Sequence, residues 1–65
     1  MVKEIALNND EFNSAVIILQ KIEDTGKLLI RMNRKTYGGL ITLDGTLEEI
    51  ESLCSIFENQ GISTD

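Results

Sequence analysis

The sequence predicts an α+β fold in one small domain spanning residues 1–65, with element order β-α-β-β-α and a three-stranded, mostly antiparallel sheet carrying both helices on one face. Three observations lead there. A capped amphipathic segment occupies the C-terminal third, two short strand-like runs flank a glycine pair in the middle, and a strand-turn-helix pattern occurs twice.

The C-terminal helix is read from "GTLEEIESLCSIFENQG". Thr46 with Glu49 three residues later forms a capping-box pattern, and Glu48 and Glu49 suit the positive end of a helix. Leu47, Ile50, Leu53, Cys54 and Phe57 recur at helical spacing, and Gly61 is a natural stop, so a helix is expected over residues 46–59.

Residues 10–23, "DEFNSAVIILQKIE", admit two readings. The β-branched Val16, Ile17 and Ile18 favour a strand, and "EDTGK" would then make a hairpin turn with Gly26 in the left-handed position. That reading gives the alternative fold, a β-meander followed by one C-terminal helix. Against it, Phe12, Ala15, Val16, Ile18, Leu19 and Ile22 fall on one helical arc with only Ile17 misplaced. An internal echo decides for the helix. Shifted by 35 positions, Phe12, Ala15, Ile18, Leu19 and Ile22 meet Leu47, Ile50, Leu53, Cys54 and Phe57.

Lys27–Met32 and Gly39–Leu43 read as strands joined near "NRKTYGG" and paired as a hairpin. The first strand, with Val2, Ile5 and Leu7, belongs beside the third, as in a split β-α-β unit lacking its last strand. The closing "GISTD" is too short to replace that strand. Val2, Ile5 and Leu7 then lie on an edge, and an exposed edge is a template for pairing with another chain. A chain of this size also buries a marginal core, so a homo-oligomer is expected through that strand or the uncovered sheet face.

The run "DGTLEEIESLCSIFENQGIS" resembles the helix-and-exit pattern of ferredoxin-like regulatory domains, including the amino-acid-binding ACT type. The resemblance covers about a third of the chain. It implies a small-ligand-sensing domain as one functional alternative. The final strand of the ACT domain is missing, and no ligand residue carries over.

Composition narrows the chemistry. There is no histidine and only one cysteine, Cys54, so neither a disulfide nor a Cys/His zinc site is expected, and the commonest general base is absent. Cys54 sits on the apolar helix face and reads as a small buried hydrophobe. Glu48 and Glu49 are accounted for by capping, while Glu51 and Glu58 are too few for a hard-cation site. The phosphate-loop patterns are missing, and one tyrosine with no tryptophan is a poor stacking platform for single strands. Gly38 and Gly39 read as relieving a bulge or admitting another backbone closely. No catalytic residue, metal or cofactor is expected. No apolar run is long enough for a membrane span and no secretory signal opens the sequence, which with the lone free cysteine points to the cytoplasm.

The most distinctive feature is charge. Residues 27–43 contain Lys27, Arg31, Arg34 and Lys35 and no acid, whereas the rest of the chain holds eleven acids against Lys3 and Lys21. If the four cations share a side with Tyr37, they make a basic patch in a negative field, suited to an acidic surface on a partner protein. The reading taken is a non-enzymatic protein-interaction module, an adaptor or inhibitor that self-associates. A nucleic-acid-binding accessory protein using the 27–35 segment is the alternative, disfavoured because the overall charge of −5 repels a polyanion. The plainest alternative is a solvated hairpin whose charges blunt an exposed strand.

Overall fold

A computed structural model of the protein describes residues 1–22 and 27–64. Its elements run β1 (Val2–Leu7), α1 (Asn9–Lys21), β2 (Leu29–Lys35), β3 (Gly38–Asp44) and α2 (Leu47–Asn59). The turn read into "EDTGK" falls on residues 23–26, outside the described residues.

Segment 10–23 is helical through Lys21, which removes the β-meander alternative. The deciding local signal is a capping box at Asn8. Its Oδ1 accepts from the Glu11 amide at 2.8 Å, and the Asn8 amide donates back to Glu11 Oε1 at 3.2 Å. Two of the orphan amides of the first turn are thereby satisfied before the β-branched run begins. Phe12 and Ala15 are buried and Val16, Ile18 and Leu19 pack partly against the core, while Ile17 faces solvent. The second capping box, Thr46 with Glu49, starts α2. The two caps lie 38 positions apart, from Asn8 to Thr46, and not the 35 of the apolar echo. In that register Phe12, Ala15, Val16 and Leu19 match Ile50, Leu53, Cys54 and Phe57, and Leu47 becomes a half-exposed first residue of α2.

The exit of α2 follows from Gly61, at φ +82°. The Gly61 amide donates to the Glu58 carbonyl and the Ile62 amide to the Phe57 carbonyl, each at 3.0 Å. This Schellman arrangement satisfies two terminal carbonyls and returns Ile62 to the core. Residues 62–64 add no strand.

The sheet order is β1-β3-β2, with both outer strands antiparallel to β3. The outer strands are thus parallel to each other, and α1 crosses over β3 between them, a split β-α-β unit. Strand alternation sends Ile5, Leu7, Ile41 and Leu43 to the helix side, where all four are buried with Phe12, Ala15, Ile50, Leu53 and Phe57. The β2–β3 hairpin is tighter than "NRKTYGG" suggests. Lys35 pairs with Gly38, so only Thr36 and Tyr37 connect the strands. Neither has a positive φ; the unusual conformation falls on Gly38, at φ +140°. Mirror-image turns are the usual two-residue hairpin connections, and here the adjoining glycine absorbs the twist in their place.

That glycine is also a point of close approach. A Cβ on Gly38 would collide with the carbonyl oxygen of Leu7, and one on Gly39 would collide with the ring of Phe12. The β1–α1 corner therefore rests directly on the start of β3.

Glu49 ties the other end together. Its Oε1 accepts from the Thr46 amide at 3.1 Å and the Thr46 hydroxyl at 3.0 Å, and its Oε2 accepts from the Lys27 amide at 3.1 Å. The Thr46 amide first, then the Thr46 hydroxyl, and further the Lys27 amide and charge hold the Glu49 carboxyl below the ordinary glutamate value, against a smaller opposing effect of burial.

Two predictions follow from these contacts. Gly38→Ala should cost about 2–3 kcal/mol, because strain and a backbone clash add, and should lower the urea midpoint with the slope unchanged. A depressed folded pKa at Glu49 stabilises above the unfolded glutamate value of about 4.3, and that contribution is lost as pH falls through the folded value. Urea titrations from neutral pH into this acid range should therefore show Glu49→Gln less stable than wild type at neutral pH, with the difference shrinking on acidification.

Candidate interaction surface

Both helices cover one face of the sheet, so the alternate strand residues make up the other. They fall in three cross-strand rows: Val2-Asp44-Leu29, Glu4-Thr42-Arg31 and Ala6-Leu40-Asn33. Lys35, paired with Gly38, stands beyond the last row. Leu29 and Val2 are 61% and 58% exposed, so the first row presents two large apolar side chains with Asp44 between them. Val2, Leu29, Arg31, Thr42 and Asp44 line a shallow depression of about 150 Å³.

The middle row places opposite charges on the two outer strands. Glu4 and Arg31 each lie across from Thr42, one strand away on either side. Two strand spacings of about 4.8 Å separate their backbones, and the two side chains are not paired with each other. Among the described residues, the one ion pair is between the amino group of Met1 and Asp44, at 4.0 Å. Glu4 and Arg31 thus stand on the open face without an ion-pair partner among the described residues.

The basic residues of the 27–43 segment do not form one patch. Arg31 and Lys35 point from β2 to the open face, while the intervening Arg34 points to the helix side. Arg34 is engaged there: its Nη2 donates to Asn13 Oδ1 at 2.6 Å, and its guanidinium lies 4.7 Å from the centre of the Phe12 ring. The Phe12 ring thus meets both the Gly39 backbone and the Arg34 guanidinium, a cation over an aromatic ring. Lys27 lies before β2, beside the start of α2. Arg34 and Lys35, expected in a loop, are the last two residues of β2.

Tyr37, at the hairpin tip, is 87% exposed. Of the expected edge residues, Ile5 and Leu7 have their side chains buried in the core, so at those positions β1 presents only its backbone at the sheet edge, while Val2 presents its side chain on the open face. A second groove, of about 370 Å³, lies between β1 and α2, lined among others by Lys3, Glu51, Cys54 and Glu58. Among the described residues, no group of three or more His, Cys, Asp or Glu side chains is placed to hold a metal ion. No helix among them is long and apolar enough to cross a membrane.

Sequence reading did not find the Asn13–Arg34–Phe12 contact, which joins residues 21 positions apart. Period-two alternation was the available signal for the split between Arg31 and Arg34. In comparisons with protein-family models, curated protein sequences and solved structures, nothing matches this chain.

The three strand cations should separate on mutation. Arg34→Ala should cost about 1 kcal/mol, through loss of a charge-assisted hydrogen bond and of the cover over Phe12. Arg31→Ala and Lys35→Ala should stay within about 0.5 kcal/mol of wild type. Thermal or urea denaturation of the three variants checks the order.

Proposed function

We propose that this protein is a non-enzymatic protein-interaction module, an adaptor or inhibitor that occupies a partner protein's surface and also self-associates. The observation that carries the reading is Tyr37, held 87% exposed at the tip of a two-residue hairpin connection. Tyrosine is among the residues that most often anchor protein interfaces, because it offers large amphipathic area for few rotatable bonds. A ring left in water on a flexible tip would lose much of that advantage to ordering. Here the tip is braced: Gly38 rests on the β1–α1 corner, and Arg34 is clamped to α1 through Asn13 and Phe12. Bracing before contact lowers the entropic cost of binding.

Lys35, two residues before Tyr37 and exposed, adds a cation near the tip of a chain whose acids outnumber its bases. An acidic rim around an apolar pocket is the complementary partner surface. Phosphate recognition is less well served, since Arg34 is committed to Asn13 and Phe12 and Lys27 lies at the far end of β2.

Affinity capture from lysate, with and without nuclease, tests the reading with wild type and a Lys35→Glu, Tyr37→Ala variant. The expected result is a protein that survives nuclease, is retained by wild type and is lost from the variant. Capture that disappears with nuclease, or that is equal for the two proteins, would contradict it. If one or two phosphate contacts dominated instead, binding would weaken steeply with salt, by about 0.9 in log affinity per log salt for each contact.

A further inference from the structure

We infer that the uncovered sheet face docks onto the same face of a second copy, with the strands of the two sheets aligned and Glu4 of each protomer paired with Arg31 of the partner subunit. The inference rests on reading this protein as a self-associating interaction module, and it names the surface and the register.

Symmetry and charge fix this arrangement. Glu4 and Arg31 occupy equivalent places on either side of Thr42, in the middle row of the face. A twofold axis running along β3, between two facing sheets, carries β1 of one protomer over β2 of the other without moving any row along the strands. Glu4 then faces Arg31 of the partner subunit, and the same contact recurs on the other side of the axis. The first row brings Val2 against the partner's Leu29 twice, joining the exposed apolar side chains into two contacts. The third row sets Ala6 against the partner's Asn33 and Leu40 against itself. Asp44 faces its own copy at the end of the interface, the one like-charge contact in the arrangement.

The other face-to-face twofold, across the strands, fails on charge. It would set Glu4 on Glu4 and Arg31 on Arg31, and like charges brought together oppose association. Aligned packing is also the common solution for two sheets, which stack about 10 Å apart with mean strand directions within about 30°. That rotation moves the middle row least, which is where the charged pairs sit.

Size sets the strength. Three strands about 4.8 Å apart, each of six or seven residues, present a face of roughly 14 by 22 Å. Two such faces cover roughly 600 Å² in projection, and side-chain relief leaves the total buried surface below about 1,200 Å², the range of weak association, so a weak, reversible dimer is expected. In it both hairpins point to the same end, and the two Tyr37 side chains are presented side by side to one partner.

Sedimentation equilibrium of the purified protein alone, from about 10 µM to 1 mM, tests the inference with four proteins: wild type, Glu4→Arg, Arg31→Glu and the double reversal. Circular dichroism confirms that each exposed substitution leaves the fold intact. Wild type should dimerise reversibly. Each single reversal should weaken the dimer at least about tenfold, and the double reversal, which restores both pairs with the charges exchanged, should return to within about threefold of wild type. A wild-type monomer across the whole range, a dimer indifferent to the single reversals, or a double reversal no better than either single one would each overturn the inference. No lysate partner enters this measurement, and neither Glu4 nor Arg31 is altered in the capture variant, so a monomer would remove the self-association while leaving the partner reading at Tyr37 and Lys35 standing, and a failed capture would leave the dimer standing.

Discussion

The ring of Phe12 lies against the backbone of Gly39, where a methyl group would already collide with it, and one residue earlier the Leu7–Asn8 corner lies against Gly38. Much of the architecture hangs on these two approaches. The helix α1 enters at that corner, capped by Asn8, and its first buried side chain is Phe12. With a larger residue at either glycine, the corner would lift from the sheet and α1 would lose its seat over β3. Arg34 joins the same ring, through its guanidinium over it and its hydrogen bond to Asn13. A contact of local backbone thus becomes a brace between the β2–β3 hairpin and α1.

The opposite end of the domain is held by a different device. Glu49 serves as capping residue for α2 and as acceptor for the Lys27 amide, so one carboxylate fixes both the start of the helix and the approach to β2. Between the two ends lies the shared core of Ile5, Ile41, Leu43, Ile50 and Phe57. Because both helices are spent on one face, the other stays open, and its charges are arranged by the register of the strands. What this small fold leaves uncovered is one sheet face, with Glu4 and Arg31 across its middle row, and an exposed aromatic tip braced from behind.

Much of the fold was legible because local rules and global packing agree in it. The cap, the apolar spacing and the terminal glycine of α2 each mark the same helix. The first helix was legible from its apolar arc, although the 35-residue echo used to decide it aligned the wrong partners. The capping box at Asn8 and Glu11 carries the true register, but those two residues sit within the ordinary-looking polar run "NNDE", residues 8–11. The reach of β2 to Lys35 was not legible, since Asn33, Arg34 and Lys35 have the composition of a loop. Pairing with β3 and the clamp on Phe12 hold them extended, and both are tertiary effects. For the same reason the basic segment, dense in sequence, is divided in space. Alternation alone separates Arg31 and Lys35 from Arg34, and the partner of Arg34 is supplied by another element.

The most direct test of this account is the environment of Gly39 in solution, read by proton NMR through the shifts of its two α-protons and their nuclear Overhauser contacts to Phe12. The packed corner predicts strong contacts from the Phe12 ring to Gly39, with at least one α-proton displaced upfield by the ring current, and contacts from the Arg34 side chain to the same ring. Gly39 α-protons at ordinary shifts with no contact to Phe12 would contradict it, since α1 would then not be seated on β3 and the hairpin would lack its brace.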